Sequence, residues 1–416
     1  MHWFDESRFG MFLHWGLYSL AARHEWVKNR EKLDDAHYDR YFRHFDPDLY
    51  DPDRWAREAK AAGMKYMVLT TKHHEGFCLW PSDLTDYTVA NTPYGEDLVQ
   101  PFVDACRRHG LKVGFYHSLI DWHHPDFTID GLHPQRDDEE AKAVPRNMDN
   151  YVAYLHGQVE ELLTRYGTID YLFFDFSYFS IWGGKSRKDW HSEELLALVR
   201  RLQPDIIVNE RLDVPGDFVT PEQYQPAGAI SVDGERQRWE ACQTLNGSWG
   251  YDRDNINWKS ADLLVRMLID GVSKGGNLLL NVGPNARGEF EPAATRILGE
   301  VGEWLRLHGR SIYGAGPAER FEPPQDCRLT QRGDRLYLHI FSWPLGTVHL
   351  PGAGGTIRYA QFLHDASEVT IHETPAGTVA HMAEMGQLPP DTLTLNLPIQ
   401  RPDVAVPVIE LFLADD

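Results

Sequence analysis

The chain has 416 residues, with 41 Lys and Arg against 62 Asp and Glu, a formal charge of −21. That length suits one large enzymatic domain with a smaller second one. The surplus of negative charge repels phosphate backbones and anionic lipid, so nucleic acid and membrane are poor partners, whereas a neutral ligand such as a sugar meets no obstacle.

The N-terminal residues show no basic segment followed by an apolar one, and no stretch approaches the ~18 apolar residues of a membrane span. A cytoplasmic protein is the expectation, or a secreted one if a signal peptide has been trimmed. Short apolar runs then alternate with helical patterns up to Tyr313. The runs are Met11-Phe12-Leu13, Tyr66-Met67-Val68-Leu69-Thr70, Lys112-Val113-Gly114-Phe115-Tyr116, Tyr171-Leu172-Phe173-Phe174-Asp175, Ile206-Ile207-Val208-Asn209 and Asn277-Leu278-Leu279-Leu280-Asn281. Continuous apolar runs suit parallel strands buried on both faces. Between them, Trp55, Ala59 and Ala62 recur at helical spacing, as do Met148, Val152, Leu155, Val159, Leu162 and Tyr166. Ser192 is positioned to cap the next helix. Further helices are expected at 98–108, 262–272 and 293–307. Repeated strand–helix units predict an α/β fold with a parallel sheet, and their number favours a (β/α)8-like barrel over residues 1–313. Only part of the strands can be located, so closure is inferred. From 314 to 416 the pattern becomes period-two, as in Leu336, Leu338, Ile340 and Leu393, Leu395, Leu397, which predicts a small antiparallel β-domain.

Three stretches of the first domain, 121–146, 178–190 and 212–235, have no regular pattern. Each follows a predicted strand, which places it at the face where barrel enzymes carry their chemistry. Asp175 ends an apolar strand, and a carboxylate there is costly unless it stands at the exposed end and is hydrogen-bonded. Glu222, in the 212–235 stretch, and Glu240, beside Trp239 on a predicted strand, are candidate partners. Two carboxyls flanking a bond are what glycoside hydrolysis needs, one to attack and one to protonate the leaving oxygen. His14, His73 and His74 follow predicted strands, and their adjacency makes His73 and His74 joint metal ligands only if the strand has already ended. The four cysteines, Cys78, Cys106, Cys242 and Cys327, are scattered without metal-ligand spacing. The many Trp residues near polar groups, Trp15, Trp26 and Trp249 among them, suit the C–H faces of sugars. There is no phosphate loop, GxSxG or HExxH.

Several segments together resemble the α-L-fucosidases of glycoside hydrolase family 29. They are Phe9-Gly10-Met11-Phe12-Leu13-His14-Trp15-Gly16, Glu25-Trp26, Thr71-Lys72-His73-His74-Glu75-Gly76-Phe77, Phe115-Tyr116-His117-Ser118, Phe174-Asp175-Phe176, Trp239-Glu240, Ser248-Trp249-Gly250-Tyr251 and Gly276-Asn277-Leu278-Leu279-Leu280-Asn281-Val282-Gly283-Pro284. The resemblance implies a (β/α) barrel followed by a β-sandwich, and exo-acting, retaining hydrolysis of terminal α-L-fucosyl residues from glycans or glycoconjugates. It makes Asp175 the nucleophile. It also implies that His14, Glu25, Trp26, His73, His74, Tyr116 and Arg211 hold the sugar, with Glu240 and Trp249 as further contacts. The acid/base is Glu222 or Glu240; Glu222 is preferred, because a loop can bring its carboxyl over the leaving group. Phe173 stands where many members carry Trp. No metal or organic cofactor is implied, and a homo-oligomer is left open. Two other classes stay open: a metal-dependent barrel hydrolase using His14, His73, His74 and Asp175, and a catalytically silent sugar-binding protein.

Overall fold

The structure, a computed structural model, describes residues 3–178, 183–373, 388 and 391–414. Residues 179–182 of the expected 178–190 loop, and 374–387, 389–390 and 415–416 of the 314–416 domain, lie outside the described residues.

Seven strands form one parallel sheet: β1 (Phe9–Leu13), β2 (Tyr66–Lys72), β3 (Lys112–Ser118), β4 (Tyr171–Asp175), β5 (Ile207–Val208), β6 (Glu240–Thr244) and β7 (Asn277–Val282). Their spatial order is β5-β4-β3-β2-β1-β7-β6. The gap between β5 and β6 is filled from the stretch expected to be a loop. Asp217 N–H donates to Val208 O at 2.7 Å on one side. On the other, Val219 N–H donates to Arg238 O at 2.9 Å and Cys242 N–H to Pro221 O at 3.0 Å. The bridges Asn209–Phe218, Val219–Trp239 and Glu222–Cys242 are all parallel. Segment 217–223 is therefore an irregular eighth stave that closes the barrel, and Pro221, with no N–H to give, marks where its ladder thins.

Side chains alternate along each strand. Phe12, Val68, Tyr116, Tyr171, Phe173, Phe218 and Leu279 fill the interior as one cluster. Met67, Leu69, Phe115, Leu172 and Phe174 face outward against the helices. The N-terminal end of the barrel is stoppered by a short helix, Trp3–Ser7, whose Phe4 packs on Phe218 with ring centroids 5.0 Å apart. The outer helices include Pro52–Ala61, Val99–Arg108, Met148–Arg165, Ser192–Leu202, Ala261–Ser273 and Pro292–His308. Ser192 does not cap its helix: the preceding His191, left-handed at φ 49°, is the cap, and the buried Ser192 hydroxyl finds no partner among the described residues.

Beyond Gly316 the strands are antiparallel, in one five-stranded and one three-stranded sheet. Leu329, Leu338 and Leu411 of the first share a core with Val348, Leu350 and Leu395 of the second, which is a sandwich. It is fastened to the barrel's helices by Trp304 Nε1–H donating to Val406 O at 2.9 Å and by the Arg328–Asp270 ion pair at 2.7 Å.

Candidate active site

Because every barrel strand runs the same way, the residues at their C-terminal ends meet at one mouth. His14 follows β1, His73 and His74 follow β2, Asp175 ends β4 and Arg211 follows β5. Phe12, His14, Trp26, His73, His74, Tyr116, Phe173, Asp175, Phe176, Arg211, Glu222, Cys242 and Trp249 line a single pocket there. β2 ends at Lys72, so His73 and His74 are free of strand alternation and enter the pocket together, with ring centroids 3.9 Å apart.

Asp175 is held from two sides. Tyr116 O–H donates to its Oδ2 at 2.9 Å, and Arg211 Nη1–H to its Oδ1 at 2.6 Å. The other arm of the same guanidinium, Nη2, donates to Glu222 Oε2 at 2.7 Å. One planar fork thus spans both carboxylates, and the two raise the Arg211 pKa well above its ordinary value despite burial. Arg211 also lies over the Phe173 ring, 5.2 Å from its centroid. The side chain of Asp175 is 12% exposed and that of Glu222 40%, so the first stands at the pocket floor and the second at its rim.

The network assigns the imidazole tautomers. Asn281 Nδ2–H donates to Trp249 O at 2.6 Å, which turns its Oδ1 to accept from His14 Nδ1–H at 2.7 Å. Ser118 O–H donates to Ile120 O at 2.7 Å, so its oxygen accepts from His74 Nδ1–H at 2.7 Å. Burial, reinforced by the neighbouring His73, pushes both pKa values well below the usual imidazole range. Both rings are neutral, and each keeps its Nε2 as an acceptor. Such an edge accepts a hydroxyl proton.

Glu25 sits behind the wall. Its Oε2 accepts from Gly250 N–H at 2.7 Å, which secures the Trp249 segment, while the buried Oε1 has no hydrogen-bond partner among the described residues. Burial raises its pKa to about 7. Gly250 is required at this approach, since a Cβ there would stand 2.8 Å from the Tyr18 ring.

Glu240 is not in the pocket. It is the first residue of β6, not the last, and so lies at the opposite end of the barrel. There it is fully buried, accepting from Tyr66 O–H and, at 2.7 Å, from Tyr171 O–H. Its expected place as a sugar contact or alternative acid/base is corrected on that ground: the barrel's packed interior separates it from Asp175. Glu222 is relocated more mildly, from a loop to the closing stave.

Phe176 and Cys242 line the pocket although the sequence pattern did not single them out. Phe176 adopts φ 81°, left-handed for a non-glycine residue. That turns it back to pack on His74 and Trp26, at 4.8 and 5.2 Å between centroids. The rim loops are tied together by Asp130, which accepts from Tyr178 O–H at 2.5 Å and from Lys185 Nζ–H. Among the described residues no group of three or more His, Cys, Asp or Glu is arranged to hold a metal ion.

A family model described as Alpha-L-fucosidase matches residues 1–310. The chain belongs to the alpha-L-fucosidase family. Tissue alpha-L-fucosidase of Bos taurus is 30% identical over 378 residues, covering 82% of this chain and 75% of that protein. Among solved structures, alpha-L-fucosidase isoenzyme 1 from Paenibacillus thiaminolyticus superimposes with TM-score 0.93 at 47% identity, over 99% of this chain and 98% of the other. A GH29 alpha-L-fucosidase from Bacteroides thetaiotaomicron, solved as a trapped covalent intermediate with 2-fluoro-fucosyl fluoride, matches with TM-score 0.84 at 28% identity, over 99% and 95%. The chain is a glycoside hydrolase with the family's barrel.

Proposed function

We propose that this chain removes terminal α-L-fucosyl residues from glycans or glycoconjugates with net retention, using Asp175 as nucleophile and Glu222 as acid/base. The observation that carries this reading is the single guanidinium of Arg211 bridging the two carboxyls at the pocket floor and rim. Two carboxyls held by one guanidinium can flank a single anomeric carbon, Asp175 on one face and Glu222 on the face of the leaving oxygen.

The terminal sugar enters with its anomeric carbon toward Asp175. His14 and His74 accept hydrogen bonds from its hydroxyls through Nε2, while Glu25, behind the wall with His24 Nδ1 3.1 Å from its Oε1, holds the Trp249 segment in place. Trp26, Phe176 and Trp249 supply apolar faces. A site built of buried polar groups rejects sugars that lack the matching hydroxyls, because those groups would be left unpaired. Asp175 attacks the anomeric carbon as the bond to the leaving oxygen breaks, and Glu222 gives that oxygen its proton. The glycosyl–Asp175 ester is then hydrolysed: Glu222 takes a proton from water, the oxygen adds to the anomeric carbon, and the Asp175 carboxylate departs. Two inversions leave the α configuration.

Azide trapping tests both assignments. Asp175→Gly with azide should yield β-L-fucosyl azide, and Glu222→Ala with azide the α product, distinguished by NMR. Equal losses on good and poor leaving groups for Glu222→Ala would remove it from the acid/base role.

A further inference from the structure

Glu222 has little holding it. Among the described residues its carboxyl has one hydrogen-bond partner, Arg211, and its side chain is 40% exposed. Its aim therefore depends on the backbone of the closing stave. That backbone leaves the sheet at the next residue, Gln223, which is left-handed at φ 59°. A non-glycine residue keeps such a conformation only where its surroundings over-determine it.

Here they do. Gln223 N–H donates to Cys242 O at 3.0 Å, the last backbone bond of the ladder. Its side-chain amide then takes over. Nε2–H donates to Thr244 Oγ1 at 2.9 Å, while Oε1 accepts from Thr244 N–H at 3.3 Å. The amide stands in for the next peptide unit and extends the pairing to β6 one step past the point where the main chain turns away. Thr244 is itself anchored, its Oγ1 accepting from Gly247 N–H at 2.9 Å and its carbonyl from Lys259 Nζ–H at 2.5 Å. The Gly247 bond leads into the segment that carries Trp249 in the pocket wall.

We infer that Gln223 is a positioning residue for the acid/base: its amide clamp on Thr244 sets where the Glu222 carboxyl stands over the leaving-group oxygen. This rests on the reading of Glu222 as acid/base, so Glu222→Ala is measured alongside. General acid catalysis is worth ~10²–10⁴-fold, so Gln223→Ala should cost roughly 10- to 100-fold in kcat on fucosides with poor leaving groups, and less than about threefold on dinitrophenyl fucoside. The alkaline limb of the pH–rate profile should move while KM changes little. Gln223→Gly accepts the left-handed backbone but lacks the amide, so it should behave like Gln223→Ala. Thr244→Val, which removes the other half of the clamp, should show a weaker defect of the same selectivity. Thermal unfolding of each variant confirms that it folds. If Gln223→Ala slows both substrate types equally, or neither, while Glu222→Ala keeps the leaving-group signature, the positioning role is wrong and the acid/base stands. If Glu222→Ala itself lacks that signature, the acid/base reading falls first. Wild-type behaviour of Gln223→Gly would assign the effect to backbone strain, and the clamp would be discarded.

Discussion

Two carboxylates stand inside the same barrel, one at each end, and tyrosine hydroxyls reach both. Asp175 accepts from Tyr116 and from the Arg211 guanidinium. Glu240 accepts from Tyr66 and Tyr171, and among the described residues no cation pairs with it. Burial accordingly raises the Glu240 pKa to about 7, and its hydrogen bonds only partly offset that. A counter-charge and a half-open mouth make a carboxylate that can attack. A sealed interior with neutral donors makes one that staples strands. The residue type and its tyrosine neighbours are shared, so the cation and the end of the barrel decide which a carboxyl becomes.

The sharpest way to break this contrast is to remove one carboxyl at a time. Asp175→Ala should lower kcat by at least about 10³-fold with the thermal transition preserved; near-wild-type turnover would end the assignment. Arg211→Lys keeps the charge but loses the fork, so it can serve only one carboxyl, and kcat/KM should fall by about 10²-fold. Tyr116→Phe removes one charge-assisted bond to Asp175, for a loss of about 10-fold. At the far end, Glu240→Gln should leave kcat within about twofold and reveal itself in stability instead. A carboxyl whose folded pKa is raised stays protonated in the native state while the unfolded chain ionises. Its contribution is therefore fully present below about 4.3 and declines as pH rises toward about 7. The stability of Glu240→Gln relative to wild type should climb across that window, an effect of up to about 4 kcal/mol. A difference that does not change between pH 5 and 7.5 would refute the buried-acid account. Smallest of all is the effect of a chelator, expected to be nil, whereas zinc-restorable activity would point to the histidines as ligands.

The pocket was legible where strand ends were. Asp175 closes an apolar run, and the histidines follow such runs, so strand direction alone brings them to one mouth. Glu240 begins its strand, and the Ala241-Cys242-Gln243-Thr244 that follows is no apolar run to show which end of the barrel it occupies. Segment 217–223 reads as part of the patternless stretch 212–235, because Pro221 and the flanking Gly216 and Gly228 interrupt any period. Its pairing comes from neighbours on both sides, which no local pattern reports. Phe176 reaches His74 and Trp26 through a left-handed backbone, which no local pattern reports either.

Local patterning, by itself, determined the strands of the parallel sheet, the longer outer helices, the change from parallel to antiparallel architecture and the candidate nucleophile. These depend on periodicities of two and 3.6 and on where an apolar run stops, all of which are local. The tertiary structure alone decided how the barrel closes, which glutamate shares Arg211 with Asp175, and which is buried at the opposite end. Each of those turns on partners far apart in the chain, Arg211 with Asp175 and Tyr66 with Glu240, whose meeting is set by the ring of staves.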